Sequence, residues 1–272
     1  MTVSSPEIAF DKLDRIAEDQ AAEYQHAQPF PHIVIDDFVD PAVLEHVAEE
    51  VRSAVGEHWL VMDDEHQRKF ANPNMRHMGP YTRALINFMN GQEMLGFLEA
   101  LTGIEGLVAD WQLAGGGMHA LGQDGFLNVH ADFNYHNHLK LDRRINLLLY
   151  LNKGWKAEWG GQLELWDQKM GKCERSVVPE FNRCVIFNTT DTSFHGNPNP
   201  VKAPDGRPRL SLAFYYYSNG RPSDELSAKH FTLFRKPREQ ESRGERTRRL
   251  VRRLLPPILF EGLDRRRNIR DA

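Results

Sequence analysis

The sequence predicts an all-β core, a sandwich or barrel, with helical additions on its N-terminal side. Three observations predict it. From Trp111 onward, short apolar runs are punctuated by Gly, Asn, Asp and Pro: WQLAGGG, GFLNVHAD, INLLLYLN, GGQLELWD, SVVPEF, RCVIFN and RLSLAFYYYS. Short strands joined by turns read this way. No such run alternates with a crossover helix, which counts against a doubly wound parallel sheet. Before Trp111 the apolar residues recur mostly at helical spacing.

In chain order, Phe10–Ala22 places Leu13, Ile16 and Ala17 on one helical face. His32–Asp40 reads as a strand. Asp40-Pro41 then supplies an N-cap and a proline at the first helical position, opening a helix over Ala42–Val55 with Val43, Val47 and Val51 on one stripe. Asp63–Pro80 is polar and rich in Asn, His and Arg, and reads as a long loop, either ordinary surface or a mobile lid over a site. Tyr81–Leu101 reads as one or two helices with Leu85, Phe88 and Met89 toward the core. The expected organisation is one domain over residues 1–234, helical over 1–110 with a β core at 111–220, followed by a basic tail at 235–272.

Composition narrows the class. A chain of 272 residues with 26% charged residues and a mean hydropathy of −0.56 has ordinary soluble-globular values and room for one such barrel. The longest apolar stretch, Leu147–Leu151, is far short of the ~20 residues a membrane span needs. The N-terminal residues are acidic where a signal peptide needs an apolar region. Cys173 and Cys184 cannot make a disulfide framework. The expectation is a cytoplasmic protein with free thiols. Residues 235–272 hold 13 Lys/Arg against 6 Asp/Glu, a local +7, so the net charge of −4 leaves −11 on the rest. An acidic body argues against nucleic acid as a partner. Within the tail, Thr247–Leu255 sets Leu250, Val251, Leu254 and Leu255 on one side of a short helix, with four arginines elsewhere. Packing on its own domain is the simplest reading, and contact with an anionic membrane or a partner is the alternative. Oligomeric state is not legible.

The chemistry begins at Val129-His130-Ala131-Asp132. Residues i and i+2 of a strand share a face, so His130 and Asp132 can converge on one metal ion. Two histidines and one carboxylate with open positions form the site of non-haem Fe(II) oxygenases. Candidates for the remaining ligand are His119, His136, His138 and His195. His136 and His138 follow Asp132 in a polar stretch that reads as a loop. His195 lies in an irregular segment after RCVIFN. Fourteen residues beyond it Arg209 opens a strand on which Arg209, Ser211 and Ala213 share one face and Leu210, Leu212 and Phe214 the other. An arginine and a serine facing a barrel interior suit a buried carboxylate, through two parallel charge-assisted hydrogen bonds and a third from the hydroxyl.

His130-x-Asp132, His195 and Arg209-x-Ser211 together resemble the pattern of the Fe(II)/2-oxoglutarate-dependent dioxygenases, in the prolyl-4-hydroxylase-like branch. Arg143–Asp167 resembles the corresponding segment of the hypoxia-inducible-factor prolyl hydroxylases, and Pro29–Leu44 the strand-then-helix entry common in that branch. The resemblance runs from about Pro29 to Tyr217. It implies a double-stranded β-helix, buttressed by the N-terminal helices, with His130, Asp132 and His195 as iron ligands. It implies 2-oxoglutarate chelating the iron through its 1-carboxylate and keto oxygen, its distal carboxylate on Arg209. Tyr150 matches a tyrosine that hydrogen-bonds that carboxylate, and Asn146, Leu148 and Tyr150 share one strand face. The reaction implied is hydroxylation of a C–H bond of a prolyl residue, an amino acid or another small molecule, consuming O₂ and releasing succinate and CO₂, with ascorbate as a further candidate cofactor.

Two features refine this. The family often has a tyrosine nine or ten residues before the first histidine ligand, at the 1-carboxylate end; here the region reads GGGMHALGQDGFLNVH, and His119 or Asn128 stands as its substitute. Halogenases of the family carry a small residue in place of the carboxylate, so Asp132 favours hydroxylation. Two other classes remain: a cupin-like Zn or Mn metalloenzyme with ligands among His130, His136 and His138, and a catalytically silent barrel used as a binding module. Trp155 and Trp159 read as packing or rim residues.

Overall fold

The structure is a computed structural model and describes residues 10–56 and 58–235, all in one compact unit. The basic tail, with the helix expected at Thr247–Leu255, lies outside the described residues. Four α-helices fall in the N-terminal part: α1 (Phe10–His26), α2 (Pro41–Ala54), α3 (Pro80–Met89) and α4 (Gln92–Thr102). The strands are β1 (His32–Ile35), β2 (Leu60–Asp63), β3 (Gln67–Asn72), β4 (Val108–Ala109), β5 (Gly117–Leu121), β6 (Phe126–Ala131) and β7 (Tyr135–His136). They continue with β8 (Leu141–Tyr150), β9 (Leu163–Trp166), β10 (Cys173–Val177), β11 (Cys184–Asn188), β12 (His195–Asn197), β13 (Arg209–Ser218) and β14 (Leu233–Phe234).

One curled sheet runs β1-β11-β8-β13-β5-β3-β6-β12-β9-β10, with β2 beside β3, β4 beside β13, β7 beside β8 and β14 beside β6. Every pairing is antiparallel. Strand parity divides the core in two. Ile145, Leu147 and Leu149 of β8, Leu210, Leu212 and Phe214 of β13, and Cys184 and Ile186 of β11 join the helical residues Leu44, Val47, Leu85, Leu98 and Leu101 in the main apolar cluster. The alternate residues Tyr150, Val185 and Phe187 turn to the other face and pack with Leu163, Leu165 and Val177 inside the barrel. The helices thus buttress one layer of the sheet, and the opposite face is free to build a site. Local chemistry fixes how the helices start and stop. Asp40 Oδ1 accepts from the amides of Ala42 (2.8 Å) and Val43 (3.3 Å), with Pro41 at the first turn of α2. α4 ends on Gly103, whose φ of +73° favours glycine.

Several sequence expectations are corrected. Asp63–Pro80 is not a long loop or lid: β3 lies inside the sheet, pairing with β5 (Phe70 opposite Ala120) and with β6 (Gln67 opposite Leu127). Its polar residues gave no alternating signal because tertiary pairing, not apolar burial on one face, places it there. Trp111–Gly116 contains no strand. Asp110 closes a turn there, its carboxylate accepting from Gln112 N (2.8 Å) and Ala114 N (2.7 Å), and β5 starts at Gly117. The strand expected over His32–Asp40 stops at Ile35, and the one read in SVVPEF is Cys173–Val177. His195 stands on a strand rather than in an irregular segment. Cys173 and Cys184 are free thiols. Among the described residues no helix is long and apolar enough to cross a membrane.

Candidate active site

β6 and β12 run side by side with His130 opposite His195, so register alone brings the two imidazoles to a centroid separation of 4.5 Å. Asp132 follows β6 directly. His130 Nε2 lies 3.5 Å from Asp132 Oδ1, and His195 Nε2 3.4 Å from Asp132 Oδ2. One potential ligand atom from each of the three lies within 4.8 Å of the others, and among the described residues this is the group of its kind. His130 Nδ1 sits 2.8 Å from Asn128 O, and His195 Nδ1 2.9 Å from Ser193 O. A carbonyl oxygen only accepts, so each Nδ1 carries a proton and each ring turns its Nε2 toward the shared centre. Burial favours the neutral form of His130, and His195 adds to this against the pull of Asp132.

The carboxylate is held from behind. Arg143 Nη2 is 3.0 Å from Asp132 Oδ2. Asn146 Nδ2 donates to the same oxygen at 2.6 Å, while Asn146 Oδ1 accepts from Arg143 Nε and Nη2 at 3.0 and 2.7 Å. The Arg143 guanidinium carbon lies 3.5 Å from the Tyr215 ring centroid and 4.4 Å from that of Phe133. Burial pushes the Asp132 carboxyl up, but Arg143 and the two imidazoles outweigh it and hold the group well below the usual carboxylate range. Asp132 is therefore an anion in a mostly dry setting.

Arg209 is only 4% exposed. Its Nη1 donates to Ser211 Oγ and its Nη2 to Tyr150 OH, both at 3.2 Å. Its Nε has no partner, and no carboxylate of the described residues pairs with it. A buried guanidinium lacking an anion is costly, and burial pulls its pKa below the ordinary arginine value. A carboxylate from a ligand supplies what is missing. Two imidazole nitrogens and a carboxylate suit Fe(II) with open positions, and the solitary Arg209 suits a cosubstrate carboxylate, so the residues present fit both groups.

The other candidates fall elsewhere. His119 lines the same wall, half-buried, but its Nε2 is 3.0 Å from Gly115 O. Burial, then Lys69 and Arg209, push its pKa down to about 3, so it brings no charge. Asn128 Nδ2 donates to Glu65 O at 3.0 Å. His136 receives Leu139 N on Nδ1 and turns Nε2 toward Asp110, 3.9 Å away. It does not join the His130 group, which removes the observation behind the cupin-like ligand set. Trp155 is buried, its Nε1 donating to Gly160 O, and packs edge-to-face on Trp159. Arg143 was missed by sequence reasoning, as was the task of Asn146, although Asn146 shares a strand face with Tyr150, which was a usable signal.

Comparison with known proteins agrees with this geometry. Residues 116–217 match the 2OG-Fe(II) oxygenase superfamily. The prolyl 3-hydroxylase OGFOD1 of Mus musculus is 32% identical over 84 residues, 29% of this chain and 15% of that protein. The Xenopus laevis OGFOD1 is 32% identical over 79 residues, 28% of this chain and 15% of the relative. The match thus spans under a sixth of the curated relatives' length. A Pseudomonas putida prolyl-4-hydroxylase superposes with a TM-score of 0.54 at 20% identity, covering 76% of this chain and all of that one. A Trichoplax adhaerens prolyl hydroxylase, solved with a hypoxia-inducible-factor peptide, gives 0.58 at 14% identity, covering 79% and 95%. HygX of Streptomyces hygroscopicus, solved with nickel, 2-oxoglutarate and hygromycin B, gives 0.51 at 15%, covering 79% and 96%. At these identities the superpositions speak for the fold, a double-stranded β-helix. The segment that carries His130, Asp132, His195 and Arg209 is thus similar to the 2OG-Fe(II) oxygenase superfamily, and its barrel shares the fold of the prolyl hydroxylases.

Proposed function

We propose that this protein is an Fe(II)- and 2-oxoglutarate-dependent oxygenase that hydroxylates a C–H bond of a prolyl residue, with His130, Asp132 and His195 holding Fe(II) and with Arg209, Ser211 and Tyr150 receiving the distal carboxylate of 2-oxoglutarate. The observation that carries the reading is Arg209, buried with no anion of its own and bonded to Tyr150, which packs in the same inner cluster as Phe187, the ring set against His195. The bound metal and cosubstrate supply the oxidising chemistry, 2-oxoglutarate and O₂ being converted to succinate, CO₂ and a hydroxylated product. The protein's own part is orientation. Two main-chain carbonyls fix the imidazoles, Arg143 and Asn146 fix the carboxylate, and the apolar residues Leu163, Leu165, Val177, Val185 and Phe187 keep that side of the barrel dry.

The substrate side begins where Asp132 ends. A cleft of about 410 Å³ is lined by Phe133, Tyr135, His136, His138, Lys229 and Phe231. Lys229 Nζ sits 3.4 Å from the Tyr135 ring centroid, and Phe231 is 80% exposed at the rim. Aromatic faces of this kind suit a proline ring or another compact apolar group. The curated relatives are prolyl 3-hydroxylases, which supports a prolyl substrate ahead of a free amino acid or another small molecule.

The test is turnover of prolyl peptides, amino acids and small metabolites by the Fe(II)-loaded full chain under ¹⁸O₂, in buffer containing chloride. The product is expected to gain one labelled oxygen in step with succinate. A chlorinated product would overturn the argument from Asp132. Consumption of 2-oxoglutarate with no prolyl compound accepted, but with another substrate oxidised, would move the substrate class and leave the site intact.

A further inference from the structure

The inner wall of the barrel carries a cation to which the site described above gives no task. Strand register puts it there. Ala71 lies opposite His119 across β3 and β5, and His119 and Leu121 lie opposite Ser211 and Arg209 across β5 and β13. Tyr150 lies opposite Ser211 across β8. Opposed residues of an antiparallel ladder share a face, as do residues two apart on one strand. Ala71, His119, Ser211 and Tyr150 therefore form one row on the inner wall, and Lys69 joins Leu121 and Arg209 in the next.

Lys69 is half-buried, and among the described residues its ammonium has neither a hydrogen bond nor an ion pair. The charges that bear on it are, in falling order, Asp132, Arg143, Arg209 and Asp64. Lys69 in turn acts on His119 more strongly than Arg209 does. Register thus sets Lys69 in the Arg209 row of the wall, two strands away from Arg209, and Asp132 is the anion that acts on it most strongly. Arg143 is neutralised by Asp132; Arg209 and Lys69 are not neutralised by any described residue. Two separated cations without anions are the complement of a ligand with two separated carboxylates.

We propose that Lys69 is the residue that binds the carboxylate next to the keto group of 2-oxoglutarate, the end of the cosubstrate that lies at the metal. His119 and Asn128, the sequence candidates for that role, are committed to Gly115 O and Glu65 O. Lysine suits the position because its flexible stem lets one point charge follow a carboxylate whose orientation the metal sets. The proposal rests on the 2-oxoglutarate reading and gives that site a second electrostatic anchor.

The experiment is anaerobic calorimetry on the Mn(II)-loaded full chain with two probes, 2-oxoglutarate and pyruvate. Pyruvate keeps the keto-carboxylate end and lacks the distal carboxylate. Losing one charge-assisted hydrogen bond, Lys69→Met is expected to weaken both probes by the same factor, about tenfold. Arg209→Ala is expected to weaken 2-oxoglutarate alone, and Lys69→Arg, which keeps the charge, to retain most of the affinity for both. Unchanged binding in Lys69→Met overturns the proposal. So does weakening of 2-oxoglutarate without pyruvate, which would assign Lys69 to the distal carboxylate. A parallel fall in Mn(II) affinity also overturns it, since the lysine would then act through the metal ligands. Failure of the unaltered protein to bind 2-oxoglutarate would instead overturn the cosubstrate reading, and this proposal with it.

Discussion

The two faces of β8 and β13 are equally buried and chemically opposite. On the outer face Leu147, Leu149, Leu210, Leu212 and Phe214 are 0–1% exposed and pack against the helices. Tyr216, the polar group among them, satisfies its hydroxyl on Met89 O at 2.9 Å. On the inner face Asn146, Tyr150, Arg209 and Ser211 are 0–4% exposed, yet Arg209 Nε is left without a partner. Burial does not separate the two faces; completeness of pairing does. A layer that serves the fold closes its own bonds, whereas a layer that serves a ligand leaves bonds for the ligand to close.

That contrast can be broken from either side. The largest expected effect is on the metal: His195→Ala abolishes succinate formation without unfolding the barrel. In thermal melts, Mn(II) at about a hundred times its Kd stabilises the unaltered protein by about 2.7 kcal/mol, and the variant loses this increment. Full activity in His195→Ala would mean that the third ligand lies elsewhere. Next comes the outer face. Leu212→Ala creates a cavity between sheet and helices and costs about 2–5 kcal/mol in denaturant unfolding, while KM for 2-oxoglutarate stays unchanged. A shift in that KM would show that the faces are not independent.

Arg209→Ala should do the reverse. KM for 2-oxoglutarate rises by tens-fold, the cost of about 2–3 kcal/mol for a charged hydrogen-bonded pair. The ligand-free protein is no less stable, because the deleted guanidinium was buried without an anion. A protein destabilised by several kcal/mol would place Arg209 among the structural residues instead. The smallest effect belongs to Tyr150→Phe, a rise of a few-fold in the same KM, since one neutral hydrogen bond is worth about 1 kcal/mol. An effect as large as that of Arg209→Ala would make the phenol an equal partner.

The same contrast explains what could be read in advance. Strands with one apolar face announced themselves: in RLSLAFYYYS the leucines and the Arg-x-Ser pair separate cleanly by parity, and Asn146, Leu148 and Tyr150 do so on β8. His130-x-Asp132 and Arg209-x-Ser211 were visible because each sets its two groups on one strand face, whereas His195 was one of four candidate histidines until the family resemblance singled it out. β3 was not visible. Gln67-Arg68-Lys69-Phe70-Ala71-Asn72 pairs on both sides and turns one set of its residues to the cavity wall, so it shows no alternation. Lys69 went unseen for the same reason, and Arg143 because its partner Asp132 lies across a turn in sequence. Trp111–Gly116 misled in the other direction: its apolar residues serve a turn closed by Asp110.

β3 also bears on how this protein can be divided. It is the staple of a seam, hydrogen-bonded to β5 on one side and to β6 on the other, and it comes from residues 67–72, well before the segment 116–217 that carries the superfamily match. A fragment trimmed to that segment would keep His130, Asp132, His195 and Arg209, but it would expose the bare main-chain edges of β5 and β6, which invite aggregation and domain exchange. The smallest autonomous fold is therefore set by the seam, and any truncation that preserves the barrel has to carry residues 67–72 with it.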